Sequence, residues 1–296
     1  MATEERGETL EAFDGLELYC EVYAPQQQQG VIVALHDFGE HVGLYRKAYQ
    51  RLVSAGYKVY TFDLRGHGKS PGDRAYIEDF DDFLEDVDLL WARVSDRESQ
   101  SRDKVFLLGQ GMGALIALRF ALSRKPHARG LILSNMLTDL PLRPMERQLT
   151  RIPGLWFSHK PFAEEAGRKW LQPTREGHFK DDPLAYRGPL AFATVRAVLG
   201  ACRQTYKEAQ QMPCSLLVLQ GQHPLSDSTI VASFHEETES FDKQIFTYQG
   251  ASANLLVSGI GDQALGDIIE WCDQKVQEPL PQEDDEDERD EENDAI

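Results

Sequence analysis

Residues 104–123 read KVFLLGQGMGALIALRFALS, and no other stretch constrains the fold as much. A short apolar run, residues 105–108, leads at once into Gly109-Gln110-Gly111-Met112-Gly113. An apolar segment, residues 112–122, follows with no breaker inside it beyond Gly113. The pattern predicts a strand, a sharp turn and a buried helix. The glycines suit that geometry, because side chains would clash where a strand reverses into a helix packed against it.

The preceding chain repeats the theme. Residues 16–23 alternate well enough for an early strand, and residues 31–35 form a continuous apolar run typical of a buried parallel strand. Tyr45, Ala48, Tyr49, Leu52 and Val53 fall at helical spacing, with Gly56 closing the helix. Residues 57–62 predict the next strand, and Phe80, Phe83, Leu84, Val87, Leu90, Trp91 and Val94 mark the next helix. Residues 131–134 add a further strand. Repeated strand–helix units imply a mostly parallel sheet covered on both faces. Sites in such sheets lie at the carboxyl ends of the strands. Residues 36–41, 63–72 and 109–113 all fall on that edge.

The alternation breaks at residue 135. Residues 135–211 carry several prolines, Trp156 and Trp170, and read as an insertion capping the strand ends. Residues 212–277 resume the pattern, with strands at 215–220 and 244–248 and a last helix marked by Leu265, Ile268, Ile269, Cys272 and Val276. The expected organisation is an amino-terminal extension (1–10), a core in two parts (11–134 and 212–277), the insertion, and an acidic tail (278–296) expected to be disordered.

Charge and cysteine usage bound the partners. The net charge is −18 over 296 residues, of which the tail supplies −10 through eleven acids and one Arg. Binding to nucleic acid by phosphate neutralisation is therefore not expected. The tail has two readings, a solvated segment or a docking arm for a basic protein. No apolar run reaches the roughly 20 residues of a membrane span, and the polar start resembles no signal peptide. Cys20, Cys202, Cys214 and Cys272 are scattered without a C-x-x-C pair, so neither a metal nor a disulfide framework is expected and a cytoplasmic location fits. Gly109-x-Gly111-x-x-Ala114 also fits a dinucleotide fingerprint. Against that reading, the next strand ends Leu133-Ser134-Asn135 without an acid to grip a ribose, so no cofactor is expected.

Together these segments resemble the monoacylglycerol lipase branch of the α/β-hydrolase superfamily, also labelled serine aminopeptidase-like. The likeness spans roughly residues 11–277. It rests on H-x-x-G-E-H at residues 36–41, D-x-R-G-H-G-x-S at 63–70, the glycine frame at 109–113, and Asp182-Pro183-Leu184. Leu219-Gln220-Gly221 and Tyr248-Gln249-Gly250 match further on. The resemblance implies an α/β-hydrolase fold with a cap. It places the nucleophile at Gly111, the acid at Pro224 and the base at Ala253. None of these can do the work, and no histidine follows His235, although Asp227 could serve as acid in a shortened loop. Losing a triad serine costs about 10⁶ in rate.

The resemblance also implies an oxyanion hole made by the backbone N–H groups of Phe38 and Met112. Asp37 departs from the family's usual glycine beside it. Met112, Trp156, Phe157 and Phe162 are candidates for lining an acyl pocket. His36 and His67 read as loop braces, and Glu40–His41 as a brace at a helix start. The function implied is a non-catalytic relative that binds an acyl or small apolar ligand, or a protein partner. The alternative is an active acylglycerol lipase or carboxylesterase using residues outside the expected positions.

Overall fold

The computed structural model describes residues 4–152, 158–171, 179–208, 212–221, 226–240, 242–251 and 254–279. Eight strands form one sheet: β1 (Glu4–Glu11), β2 (Glu17–Ala24), β3 (Gly30–Leu35), β4 (Tyr57–Phe62), β5 (Val105–Gln110), β6 (Gly130–Ser134), β7 (Ser215–Gln220) and β8 (Lys243–Thr247). Their order is β1-β2-β4-β3-β5-β6-β7-β8. The pairs β1–β2 and β2–β4 are antiparallel, and all others are parallel. This is the α/β-hydrolase fold expected from the sequence.

Strand β3 is buried along its whole length because helices cover both faces. One face packs α2 (Asp81–Arg97) and α3 (Met112–Arg124), with Val31, Val33 and Leu107 in its core. The other packs α1 (Arg46–Ser54), with Ile32, Ala34, Phe106 and Leu108. Within α3, residues 112–122 are all buried, which explains a segment without polar periodicity. Truncating a buried leucine there, such as Leu118, costs about 2–5 kcal/mol.

Two boundaries differ from expectation. Residues 4–11 are not an extension: they pair with β2 as the edge strand β1. Their sequence, EERGETLE, lacks apolar alternation because an edge strand can leave its charges in water. Within the expected insertion lie α4 (Pro144–Leu149), α5 (Glu164–Trp170) and α6 (Phe192–Glu208). Helix α6 packs against α3, and Val195, Val198 and Leu199 join the body's core. The carboxyl-terminal part adds α7 (Ser228–Glu237) and α8 (Gly261–Gln277), the latter on the α1 face. No helix among the described residues is long and apolar enough to cross a membrane.

Candidate functional site

The turn from β5 into α3 places Gly111 at φ 58°, ψ −115°, a conformation that strains any residue with a side chain. Its flanking glycines serve close approach. A Cβ on Gly109 would sit 2.3 Å from Gly113 O, and one on Gly113 would sit 2.5 Å from His36 O. The elbow is thus pressed against the end of β3 and the loop that follows it.

That loop brings Asp37 to the elbow. A Cβ on Gly111 would lie 2.1 Å from Asp37 Cγ and 2.2–2.3 Å from both carboxylate oxygens. The carboxylate occupies the space a side chain at position 111 would need. It also collects the neighbouring amides: Phe38 N and Met112 N each donate to Asp37 Oδ1 at 2.7 Å. Asp37 is 3% exposed. Burial pushes its carboxyl above the usual range, while the Met112 and Phe38 amides and the Trp170 indole oppose the shift.

A second buried acid lies behind it. Glu40 accepts from Asn254 Nδ2 at 2.7 Å and from the Tyr45 hydroxyl, and Asn254 Nδ2 lies 2.9 Å from Tyr45 Oη. Burial, reinforced by the charge of Asp37, raises the Glu40 carboxyl well above the ordinary carboxylate range. Glu40 thus tethers the start of α1 through the Tyr45 hydroxyl, without its carboxyl capping a backbone N–H there. Nor does His41 cap the turn at Val42–Tyr45 with its side chain. Its Nε2 instead lies 3.2 Å from Asp182 Oδ2, joining the first loop to the insertion.

The remaining histidines of this edge are scaffolding. His36 Nδ1 meets Asp37 O at 2.8 Å, and its Nε2 accepts from Leu64 N at 2.9 Å. His67 Nδ1 meets Arg65 O at 2.9 Å. Burial lowers both rings to about 3, so they are neutral at physiological pH. Above them the Phe38 ring stacks on Trp170 at 4.4 Å and meets Tyr186 edge-on at 6.4 Å, so aromatics of the insertion close over the elbow.

Other expected residues are dispersed or engaged. Pro224, Ala253, Trp156, Phe157 and His223 lie outside the described residues. Asp227 caps α7, its Oδ1 accepting from Thr229 N at 2.8 Å and Ile230 N at 3.3 Å. Phe162 meets Phe192 edge-on at 4.9 Å within the insertion, while Met112 is buried at the elbow. All four thiols are buried and free, and burial pushes Cys20, Cys202 and Cys214 up to about 12, which leaves no thiolate nucleophile among them.

One trio was invisible to the motif reading. Ser158 Oγ lies 3.3 Å from His159 Nδ1, and His159 Nε2 lies 3.3 Å from Asp73 Oδ2. The His159 and Asp73 side chains are 64% and 72% exposed, so water competes at each link. A motif search finds no such trio, because Asp73 reaches it from a distant loop. Among the described residues no group of His, Cys, Asp and Glu forms a metal-binding cluster.

Comparison with known proteins decides the family. The model of the serine aminopeptidase S33 hydrolases matches residues 26–257. The chain belongs to that family. It is a monoacylglycerol lipase-like α/β-hydrolase. A monoacylglycerol lipase of Mycolicibacterium smegmatis is 25% identical over 266 residues, covering 87% of this chain and 93% of that protein. Human monoglyceride lipase is 27% identical over 250 residues, covering 80% of each. The crystal structure of Paleococcus ferrophilus monoacylglycerol lipase superposes with a TM-score of 0.70 at 25% identity, covering 88% of this chain and 99% of that one.

Proposed function

We propose that this chain is a non-hydrolysing member of its family that binds an acyl or small apolar ligand beneath the aromatic cover of its insertion. One observation carries the reading. The Asp37 carboxylate takes up both the space in front of Gly111 and the amides of Phe38 and Met112. An ester carbonyl needs those donors for the charge that builds up during acyl transfer. Here a resident anion holds them, and glycine offers no nucleophile behind it. The buried Asp37 carboxylate further disfavours an incoming anion at that point. Lipid chemistry enters through the relatives, whose names are those of monoacylglycerol lipases.

The test pairs labelling with turnover. Full-length protein is treated with a fluorophosphonate probe and assayed on a short-chain chromogenic ester and on a monoacylglycerol. The expected outcome is no covalent label and no turnover above a heat-denatured control. Labelling abolished by Ser158→Ala would instead favour an active esterase working through the exposed trio. Native mass spectrometry of the purified protein should show a bound lipid, and its absence would remove the ligand half of the reading.

A further inference from the structure

The carboxyl-terminal sequence leaves the body beside cations that make no ion pair among the described residues. Helix α8 ends at Gln277. Just beyond it, the Glu278 carbonyl accepts from Arg129 Nη2 at 2.6 Å. Arg129 in turn donates its backbone N–H to Val105 O at 2.7 Å, at the start of β5. The exit point is therefore fixed two hydrogen bonds from Val105, the residue that follows Lys104. Arg102 and Lys104 are exposed on the turn before β5 (Ser99–Lys104), and Lys125 is exposed just after α3. The hydrogen bond between His127 Nε2 and Asp103 Oδ1, 2.9 Å long, ties the Lys125 loop to that turn. Arg102, Lys104 and Lys125 make no ion pair among the described residues. On a chain of net charge −18, such a group stands out.

We infer that residues 283–294 of this chain dock against Arg102, Lys104 and Lys125 at the amino-terminal rim of the sheet. The segment reads EDDEDERDEEND, with a single arginine among ten acids. Charge complementarity commits the site to this occupant. Reach is not limiting, since the 17 residues beyond Pro279 span up to roughly 55 Å when extended. A tether this short gives an effective concentration on the order of millimolar, so weak surface pairs suffice without a deep groove. While docked, the tail screens the rim from other polyanions and is itself withheld from basic partners. This inference is independent of the state of the elbow, which lies at the opposite edge of the sheet.

The experiment uses the full chain and a zero-length carbodiimide, which joins a carboxylate to a lysine amine only in direct contact. At about 20 mM NaCl, amide cross-links should join the tail to Lys104 and Lys125. At about 500 mM, where the Debye length falls to ~4 Å, their yield should drop at least roughly fivefold. Arg102→Glu should lower the yield at both lysines while leaving the lysines in place. Mixing isotopically light and heavy protein separates intrachain from interchain products. Tail cross-links spread equally over remote exposed lysines such as Lys47 and Lys160, interchain products only, or no salt-sensitive product would each overturn the inference.

Discussion

Two aspartates at the same sheet edge use one device for different ends. Asp63, at the end of β4, accepts from Val42 N and Lys69 N at 2.7 Å each. Asp37, after β3, accepts from Phe38 N and Met112 N at the same distance. Each sits against a glycine of positive φ. A Cβ on Gly68 would lie 2.1 Å from Asp63 Oδ2, as one on Gly111 would from Asp37 Cγ. Around Asp63 the arrangement is scaffold. Ser70 Oγ donates to Asp63 O, and Arg65 grips the buried Asp86 through two bonds of 2.6–2.7 Å. Around Asp37 the same arrangement fills the elbow. A carboxylate that gathers two amides steadies a loop in either place. Only its position relative to the strand-to-helix turn decides whether it also fills the space before Gly111 and takes up the amides of Phe38 and Met112.

The sharpest way to break the comparison is to put a side chain on each glycine. Gly68→Ser and Gly111→Ser should each destabilise by about 3 kcal/mol or more, from backbone strain plus overpacking against a held carboxylate. Calorimetric or chemical denaturation would measure both. Asp37→Gly in the Gly111→Ser background should recover most of the loss, whereas Asp63→Gly should not rescue Gly68→Ser, because Asp63 also holds its loop. Neither the single nor the double variant at the elbow should react with a fluorophosphonate, since no base stands at residue 253. An additive double variant would show that Asp37 and Gly111 do not share the space the structure gives them.

This contrast was only partly legible in the sequence. Local patterns exposed the strands and the elbow, because apolar runs and glycine spacing are short-range signals. They also marked Asp37 as out of place. They could not show its carboxylate turning back onto Phe38 N and Met112 N, since that depends on how β3 and β5 lie side by side. The bond from Asn254 to Glu40 joins residues 214 positions apart, and nothing in either neighbourhood announces it. Strand β1 was missed because its charged residues suppress the alternation on which strand recognition relies.

A smaller effect should follow pH. Asp63 is held by its amides, with a carboxyl raised chiefly by burial, whereas Glu40 is fully enclosed and carries the added charge of Asp37. A carboxyl whose folded pKa is raised keeps its proton in the native state. It contributes stability at acidic pH and loses it as pH rises through the raised value. Wild-type stability should therefore decline from mildly acidic to mildly alkaline pH, by up to about 1.4 kcal/mol per pH unit from this group. Glu40→Gln keeps a neutral acceptor for Tyr45 and should flatten that slope. A slope unchanged in the variant, measured by denaturant titration across the range, would place the proton elsewhere.

The smallest stability change, and the most informative for function, belongs to Asp37 itself. Its two amide bonds favour the folded state, while burying its charge opposes it. Asp37→Gly should therefore shift stability by only about 1 kcal/mol. Its consequence should lie in binding. With the carboxylate gone, Phe38 N and Met112 N are left to be met by water or by a ligand oxygen. A short carboxylate such as butyrate should then perturb the amide resonances of residues 38 and 112 in the variant and leave wild type unchanged. Asp37→Asn separates charge from occupancy, because its amide oxygen can still accept from both donors. If occupancy is what closes the site, the Asn variant stays silent to butyrate. If charge alone does so, it responds as the Gly variant does, and the parallel with Asp63 reduces to electrostatics.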